Sequence, residues 1–206
     1  KKINVGGDFD YIYSHGYYNS NGDKLLSYRF FGSYLTDRYE LHAYLSNFNF
    51  INYENGGLTN DLYITNPDDF SDGKRVTDTK AFPVRMVDTW NRVRGKQYFF
   101  THRYNLGFYK TLEETDEEGN PKEVFVPVSS IIHTFDYEDN RRRFVSKMPS
   151  IDTCYTNVYN YNYPSDNRTA DDETSTWKLS NTFGLSLREG FQDWAKFGLT
   201  AFINLE

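Results

Sequence analysis

Polar and charged side chains recur at every second position in segments whose other positions are apolar or aromatic. This spacing places the polar groups on one face of an extended strand, because successive side chains of a β-strand point to opposite faces. The candidates on such a face are Arg29, Glu40, Gln97, Arg103, Asn105, Lys178 and Lys196. They could line a water-filled lumen, where the cations would favour anions locally and Glu40 would offset part of that field. They could instead pair across strands and fill a narrow interior.

The sequence predicts no catalytic residues and no metal site. The histidines at positions 15, 42, 102 and 133 fall in four separate predicted strands, and none has another histidine two residues away. Ser129 and Ser130 precede His133, but no nucleophile elbow accompanies them. The acidic stretch 68–73 begins like a calcium-binding loop, yet Phe70 stands where an oxygen ligand is needed. We therefore expect no cofactor, no metal and no enzymatic activity.

The element that must position such polar groups is clearest in residues 174–206. Apart from Asn181, apolar residues occupy the odd positions from 177 to 187 and from 195 to 205, on either side of a glycine-containing turn at 188–193. Strict alternation on both sides of a turn predicts a long β-hairpin with one wholly apolar face. If that face contacts lipid, the lipid-facing residues are Leu179, Phe183, Leu185, Leu187, Phe197, Leu199, Ile203 and Leu205.

The rest of the chain repeats this alternation with more interruptions. Phe48 and Phe50 change its phase, which suggests a bulge or a strand end, and the facing of 124–137 cannot be assigned. The other predicted strands are 3–17, 25–36, a strand from 39, 96–110, 124–137 and, after a turn at 138–140, 141–145. We expect about eight antiparallel strands of roughly 12–16 residues, whereas strands of soluble proteins usually have about 5–6. Long strands are typical of a transmembrane β-barrel.

The composition favours a single-layer sheet with one wet face. Aromatic residues make up 18% of the chain, hydrophobic residues only 38%, and the mean hydropathy is −0.75. Aliphatic residues are too thinly spread for the shared core of a soluble domain. No apolar run is long enough for a transmembrane helix, and the single cysteine, Cys154, excludes an internal disulfide. The net charge of −6 argues against a nucleic-acid partner.

Residues 1–206 are expected to form one β-barrel domain or part of one, with 52–95 as a long loop or plug-like insertion. A loop of this length is functional or contains a further element. From 96 onward, short and long connections alternate, as in barrels with short periplasmic turns and long outer loops. Extended backward, this alternation puts 52–95 on the periplasmic side, which is unusual for so long a segment. The side on which the loop lies therefore stays open.

Residues 82–109 contain a motif that resembles a known family. The sequence Phe-Pro-Val-Arg-Met-Val-Asp at 82–88 is followed by Gln97 and by His-Arg-Tyr-Asn-Leu-Gly at 102–107. This resembles the putative porin family of Bacteroidetes outer membranes. The resemblance implies a large antiparallel barrel, of which this chain is one segment, located in the bacterial outer membrane. The expected role is passive diffusion of small hydrophilic solutes, with outer-membrane lipid and another outer-membrane protein as candidate partners.

Two other classes of protein remain open at this point. One is a soluble or surface-anchored β-sandwich that binds carbohydrate through exposed tyrosines, which would require a shared aliphatic core and shorter strands. The other is a structural outer-membrane barrel with a plugged lumen that anchors a partner. Sequence does not separate the latter from a porin, because the pore radius depends on strand number, shear and plug.

Overall fold

The computed structural model describes residues 2–66, 68, 78–115, 121–148, 161–162, 169–189, 192, 194 and 196–206. The strands are β1 (Ile3–Ser14), β2 (Gly22–Leu35), β3 (Tyr39–Tyr53), β4 (Thr89–Thr115), β5 (Pro121–Ser146), β6 (Tyr161–Asn162), β7 (Thr169–Leu187) and β8 (Leu199–Leu205). Between β3 and β4 lie the short helix α1 (Leu62–Thr65) and a 3₁₀ turn (Thr79–Ala81). No helix among the described residues is both long enough and apolar enough to span a membrane.

The strands form one antiparallel sheet. β1, β2, β3, β4, β5 and β7 follow one another in chain order, and both β8 and the two-residue β6 pair with the far side of β7. In the described chain β1 and β8 do not pair with each other. The sheet is therefore open, which is consistent with a segment of a larger barrel. This confirms the predicted all-β, antiparallel fold class.

The strands are longer than those of most soluble proteins. β3 has 15 residues, β4 has 27 and β5 has 26. A tilted strand needs only about 9–11 residues to cross a bilayer. The two longest strands therefore extend well beyond the length of a membrane crossing.

Register partners lie on the same face of the sheet, so the pairing assigns each strand residue to one of two faces. The first, which we call the apolar face, carries a band of aromatic and aliphatic side chains. Its members include Val5, Phe9, Tyr28, Phe30, Leu41, Leu45, Tyr98, Phe100, Phe135, Tyr137, Leu179, Phe183, Leu185 and Ile203. The second, the polar face, carries mainly charged, amide and hydroxyl groups. The pairing also assigns β5, whose facing was not predicted.

The sheet has almost no interior of its own. Near one end, Met86 and Ala170 are buried and pack against Phe144 and Met148. On the apolar face, by contrast, Leu185 is 61% exposed, and many other large apolar residues are also exposed. An exposed apolar surface of this extent requires a cover such as lipid or protein. The described strands form one layer and do not include the second sheet that a sandwich requires.

The predicted bulge at Phe48 and Phe50 is wrong. β3 keeps a single register with both β2 and β4 from Tyr39 to Tyr53. Phe48 lies on the polar face directly opposite Gly95, and its ring occupies the space that a side chain at position 95 would fill. The phase change in the sequence therefore reflects an aromatic residue that covers a glycine.

The same arrangement occurs twice more on the polar face, at Gly6 with Phe31 and at Gly184 with Phe202. A Cβ at Gly6 would lie 2.6 Å from the ring of Phe31, and one at Gly184 would lie 2.6 Å from the ring of Phe202. Each ring lies over the glycine of the neighbouring strand, because a glycine has no side chain to exclude it. These pairs explain why a mostly polar face carries a few large aromatic residues.

The predicted turn at 138–140 is also wrong. β5 is continuous, with Glu138 opposite Gln97, Asp139 opposite Lys96 and Asn140 opposite Gly95. Residues 141–145 therefore do not form a separate strand. β4 begins at Thr89, and the long connection spans 54–88 rather than 52–95.

The continuity of β5 settles at which end of the sheet the long connection lies. β1 leads into β2, β3 into β4 and β5 into β7 at one end of the sheet, which we call the long-connection end. The residues between these strands are 15–21, 54–88 and 147–168, the last of which include β6. β2 leads into β3, β4 into β5 and β7 into β8 at the other end, the short-connection end, through 36–38, 116–120 and 188–198. The longest connections thus share an end, as the outer loops of a barrel do.

Candidate functional site

The polar face brings three of the predicted lumen residues into one row across the sheet. Arg29 of β2 lies opposite Ser46 of β3, and Ser46 lies opposite Gln97 of β4. Gln97 in turn lies opposite Glu138 of β5, which is the register partner of Lys178 in β7. This row, here called the polar row, spans five neighbouring strands. The sequence predicted that Arg29, Gln97 and Lys178 share a face but not that they share a row.

The amide of Gln97 joins two carboxylates on β5. Its Nε2 donates hydrogen bonds to Asp136 Oδ1 at 3.1 Å and to Glu138 Oε1 at 3.0 Å. Lys178 pairs with Glu206, Nζ to Oε1 at 2.9 Å, rather than with its row neighbour Glu138. The centre of the polar row is therefore negatively charged, with one neutral donor between two carboxylates.

A second polar cluster lies nearer the short-connection end and is densely bonded. The side chain of Asn105, only 4% exposed, donates to Glu40 Oε1 at 3.3 Å and accepts from Ser130 Oγ at 2.8 Å. Arg188 Nη2 also reaches Asn105 Oδ1, at 3.4 Å. Glu40 pairs loosely with Arg103, Oε2 to Nη1 at 3.9 Å. With so many partners, this cluster favours the cross-strand packing alternative for Glu40, Arg103 and Asn105.

The charge balance of the polar face differs from the predicted one. We consider the polar face of strands β1 to β7 on the long-connection side of the bulge at Leu106. This part of the face carries four cations and seven carboxylates. The cations are Arg29, Arg103, Arg142 and Lys178, and the carboxylates are Asp8, Asp10, Asp23, Glu40, Asp136, Glu138 and Asp172. The face as a whole therefore favours cations, not the anions expected from the arginines and lysines alone.

A single antiparallel sheet with long strands, an exposed apolar band and a charged opposite face is the architecture of a barrel wall. The sequence model of a family described as "Putative porin" matches residues 1–206. The chain belongs to the putative porin family. No curated protein and no solved structure matches it. The family assignment agrees with the all-β fold and identifies this chain as porin-like.

Two of the predicted site residues of this porin-family chain lie outside its strands. Lys196 and Phe197 belong to the connection before β8, which begins at Leu199. The backbone N–H of Lys196 donates to the carbonyl of Trp194 at 3.0 Å. The alternation that assigned Lys196 to a lumen and Phe197 to lipid therefore does not apply to them. The remaining predicted lipid-facing residues, Leu179, Phe183, Leu185, Leu187, Leu199, Ile203 and Leu205, all share the apolar face.

The sequence analysis missed Asp136 and Glu138 as members of the site. It stopped the strand at 137 and assigned Glu138 to a turn. The signal was present, because Phe135 and Tyr137 alternate with Thr134, Asp136 and Glu138 without a break. Arg188 could not be found in this way, since it follows the end of β7.

No catalytic arrangement forms at the predicted serine and histidine positions. Ser130 lies on the polar face and His133 on the apolar face, so the two side chains point away from each other. His133 instead contacts His102, with 3.1 Å between Nδ1 and Nε2. Within the described chain, no three His, Cys, Asp or Glu side chains are placed to hold a metal ion. Most of the calcium-loop-like stretch 68–73 lies outside the described residues.

The described parts of the long connection dock against the β1–β2 connection. Lys80 Nζ donates to the carbonyls of His15 and Tyr18, both at 2.6 Å. Asn55 Nδ2 donates to the carbonyl of Asn19 at 3.1 Å. These bonds hold the described parts of 54–88 against the β1–β2 connection at the long-connection end of the sheet.

Proposed function

We propose that this chain forms part of a bacterial outer-membrane β-barrel through which small hydrophilic solutes diffuse passively. The observation that supports this proposal is the two-faced sheet, with a continuous exposed apolar band on one face and the polar row on the other. In a barrel wall the first face contacts lipid and the second lines the lumen. The function requires no covalent chemistry, so the protein acts as a channel and not as an enzyme.

The polar row supplies the physical basis of permeation. Its carboxylate, amide and ammonium groups replace part of the hydration shell of a solute that passes along the wall. The excess of carboxylates concentrates cations and repels anions at close range. The docked connection 54–88 narrows the entrance, which would limit passage to small solutes.

The test is the conductance of the full-length protein in a planar lipid bilayer. We expect ohmic steps that scale with salt concentration and a reversal potential that favours cations. Replacing Glu138 with Gln should reduce the cation preference, since Glu138 lies at the centre of the polar row. The matched control is Asp139→Asn, which removes the same charge from the neighbouring residue on the opposite face.

Equal effects of Glu138→Gln and Asp139→Asn would show that the polar face does not line the conducting path. A folded, membrane-inserted protein that conducts no ions would contradict passive diffusion. That result would favour the plugged barrel that anchors a partner.

A further inference from the structure

The apolar face carries a stripe of cations directly beyond its apolar band. Along β4, alternate positions from the long-connection end are Arg92, Arg94 and Lys96, followed by Tyr98 and Phe100. The change from cation to aromatic residue occurs within a single two-residue step. The stripe therefore lies on the surface that contacts lipid in the proposed barrel, next to the lipid itself.

The neighbouring strand β5 adds two arginines to the stripe, but carboxylates hold both. Arg143 binds Asp171 through two hydrogen bonds, from Nε at 2.7 Å and from Nη2 at 2.6 Å. Arg141 lies 3.7 Å from Asp139 and 3.8 Å from Glu173. These carboxylates balance the charge on β5.

The cations on β4 are not balanced in this way. Within the described chain, Arg94 and Lys96 are exposed and have no hydrogen-bond or ion-pair partner, while Arg92 donates to Asn49 Oδ1 at 2.6 Å. Arg94 and Lys96 border an open cavity of about 420 Å³ whose other walls are Asn47, Asn49, Arg92, Gly95, Asp139 and Arg141. The carboxylate on its wall, Asp139, lies 3.7 Å from Arg141, and the guanidinium, ammonium and amide donors of the other side chains form a surface suited to a phosphate group.

The height of this cavity matches the headgroup layer of a membrane. Tyr98 and Tyr137 stack at 6.1 Å on the edge of the apolar band, where aromatic residues mark the interface. At about 3.3 Å per residue, Lys96 lies about 7 Å and Arg94 about 13 Å beyond Tyr98 along the strand. With a tilt of about 40°, these become about 5 and 10 Å along the membrane normal. The headgroup layer of one leaflet is about 5–8 Å thick, so both side chains can reach phosphate.

We propose that Arg94 and Lys96 bind the phosphorylated headgroup of an anionic lipid whose acyl chains lie against Tyr98 and Phe100. The stripe lies at the long-connection end, so the lipid belongs to the outer leaflet if these connections are the outer loops. This inference rests on the proposed barrel function, because it requires the apolar face to contact lipid. The basic stripe would therefore bind lipid on one face of the sheet, while solutes pass along the other.

The test uses the full-length protein in nanodiscs of phosphatidylcholine with a minor fraction of phosphatidic acid. Native mass spectrometry then counts the phosphatidic acid molecules that stay bound to the protein. We expect the wild type to retain phosphatidic acid over phosphatidylcholine, and Arg94→Gln with Lys96→Gln to bind it on the order of tenfold more weakly. The matched control for Arg94→Gln is Arg142→Gln, which removes the same charge from the polar face one residue further along the sheet, opposite Val93.

The outcomes separate this proposal from the proposed function. If the double variant retains phosphatidic acid as the wild type does, or if Arg142→Gln loses as much as Arg94→Gln, the lipid site is refuted. If inorganic phosphate at millimolar concentration displaces the lipid completely, the site binds free phosphate and the lipid assignment is wrong. Conductance of the Arg94 and Lys96 variants stays as in the wild type in either case, whereas failure of the barrel itself would abolish conductance in all variants and in the wild type.

Discussion

Asn181 interrupts the apolar alternation of β7, and its hydrogen bond explains why. Asn181 Oδ1 lies 3.2 Å from His133 Nε2, and His133 Nδ1 lies 3.1 Å from His102 Nε2. Tyr39 Oη completes the chain at 3.4 Å from His102 Nδ1. If the tyrosine hydroxyl donates, each neutral imidazole accepts at Nδ1 and donates at Nε2. The chain crosses four strands and satisfies polar atoms that would otherwise be exposed to hydrocarbon.

This chain of hydrogen bonds predicts the effect of His133→Phe. The new ring can keep the stacking on Phe183, now at 4.5 Å, but it leaves Asn181 and His102 without their partner. We expect a loss of about 1–3 kcal/mol in the free energy of unfolding. Urea unfolding of the protein in lipid vesicles measures it. Adding Asn181→Leu should recover part of the loss, and a single variant as stable as the wild type would contradict the role of the chain.

The alternation pattern identifies most site residues but not their partners. It places Arg29, Gln97 and Lys178 on one face, as the structure shows. That they share a row depends on the register, which is set by the turns and by the bulge at Leu106. No single strand contains that information, so the contact of Gln97 with the β5 carboxylates could not be predicted.

At the level of the strands, the predicted boundaries were wrong where both faces of a strand are exposed to water. Glu138, Asp139 and Asn140 are typical turn residues, and the start of β4 is equally polar. Both stretches lie beyond the apolar band, where neither face requires hydrophobic residues. Alternation detects a strand only where one face is buried or in lipid. Polar composition there reflects hydration on both faces and not a turn.

The glycine–aromatic pairs allow a test at the same scale. Gly184→Ala places a Cβ 2.6 Å from the ring of Phe202, which must then move. We expect a cost of about 1–3 kcal/mol in the free energy of unfolding, as for other overpacked sites. Phe202→Ala removes the clash, so Gly184→Ala should cost less in that background. A double-mutant cycle by urea unfolding measures the difference, and strictly additive costs would show that the ring does not occupy this space.

For the whole molecule, the assignment of the two faces is the central expectation. Spin labels at Leu185 and Ile203 should be accessible to oxygen and protected from aqueous quenchers, because both residues lie on the apolar face. Labels at Thr182 and Thr200, on the opposite face of the same strands, should show the reverse. Electron paramagnetic resonance of the full-length protein in vesicles measures both. Labels at Leu185 and Ile203 that are quenched from water would refute the barrel.

One wrong turn changed the predicted topology as a whole. Each turn reverses the chain, so the false turn at 138–140 exchanged the two ends of the sheet for every preceding connection. It thereby placed the long connection on the side of the short turns. The fold class and the faces could be read from the sequence because they depend on local alternation. The assignment of loops to ends could not, because it depends on an unbroken count of strands.

The open edges of the sheet have a consequence for biogenesis. Within the described part of the chain, β1 pairs only with β2 and β8 pairs only with β7. In hydrocarbon each unpaired peptide group costs several kcal/mol. Such edges keep the sheet out of the bilayer until other strands cover them. Ring closure and membrane entry must therefore be coupled in time, and the unfinished sheet has to be held at an aqueous or protein surface until its edges are joined.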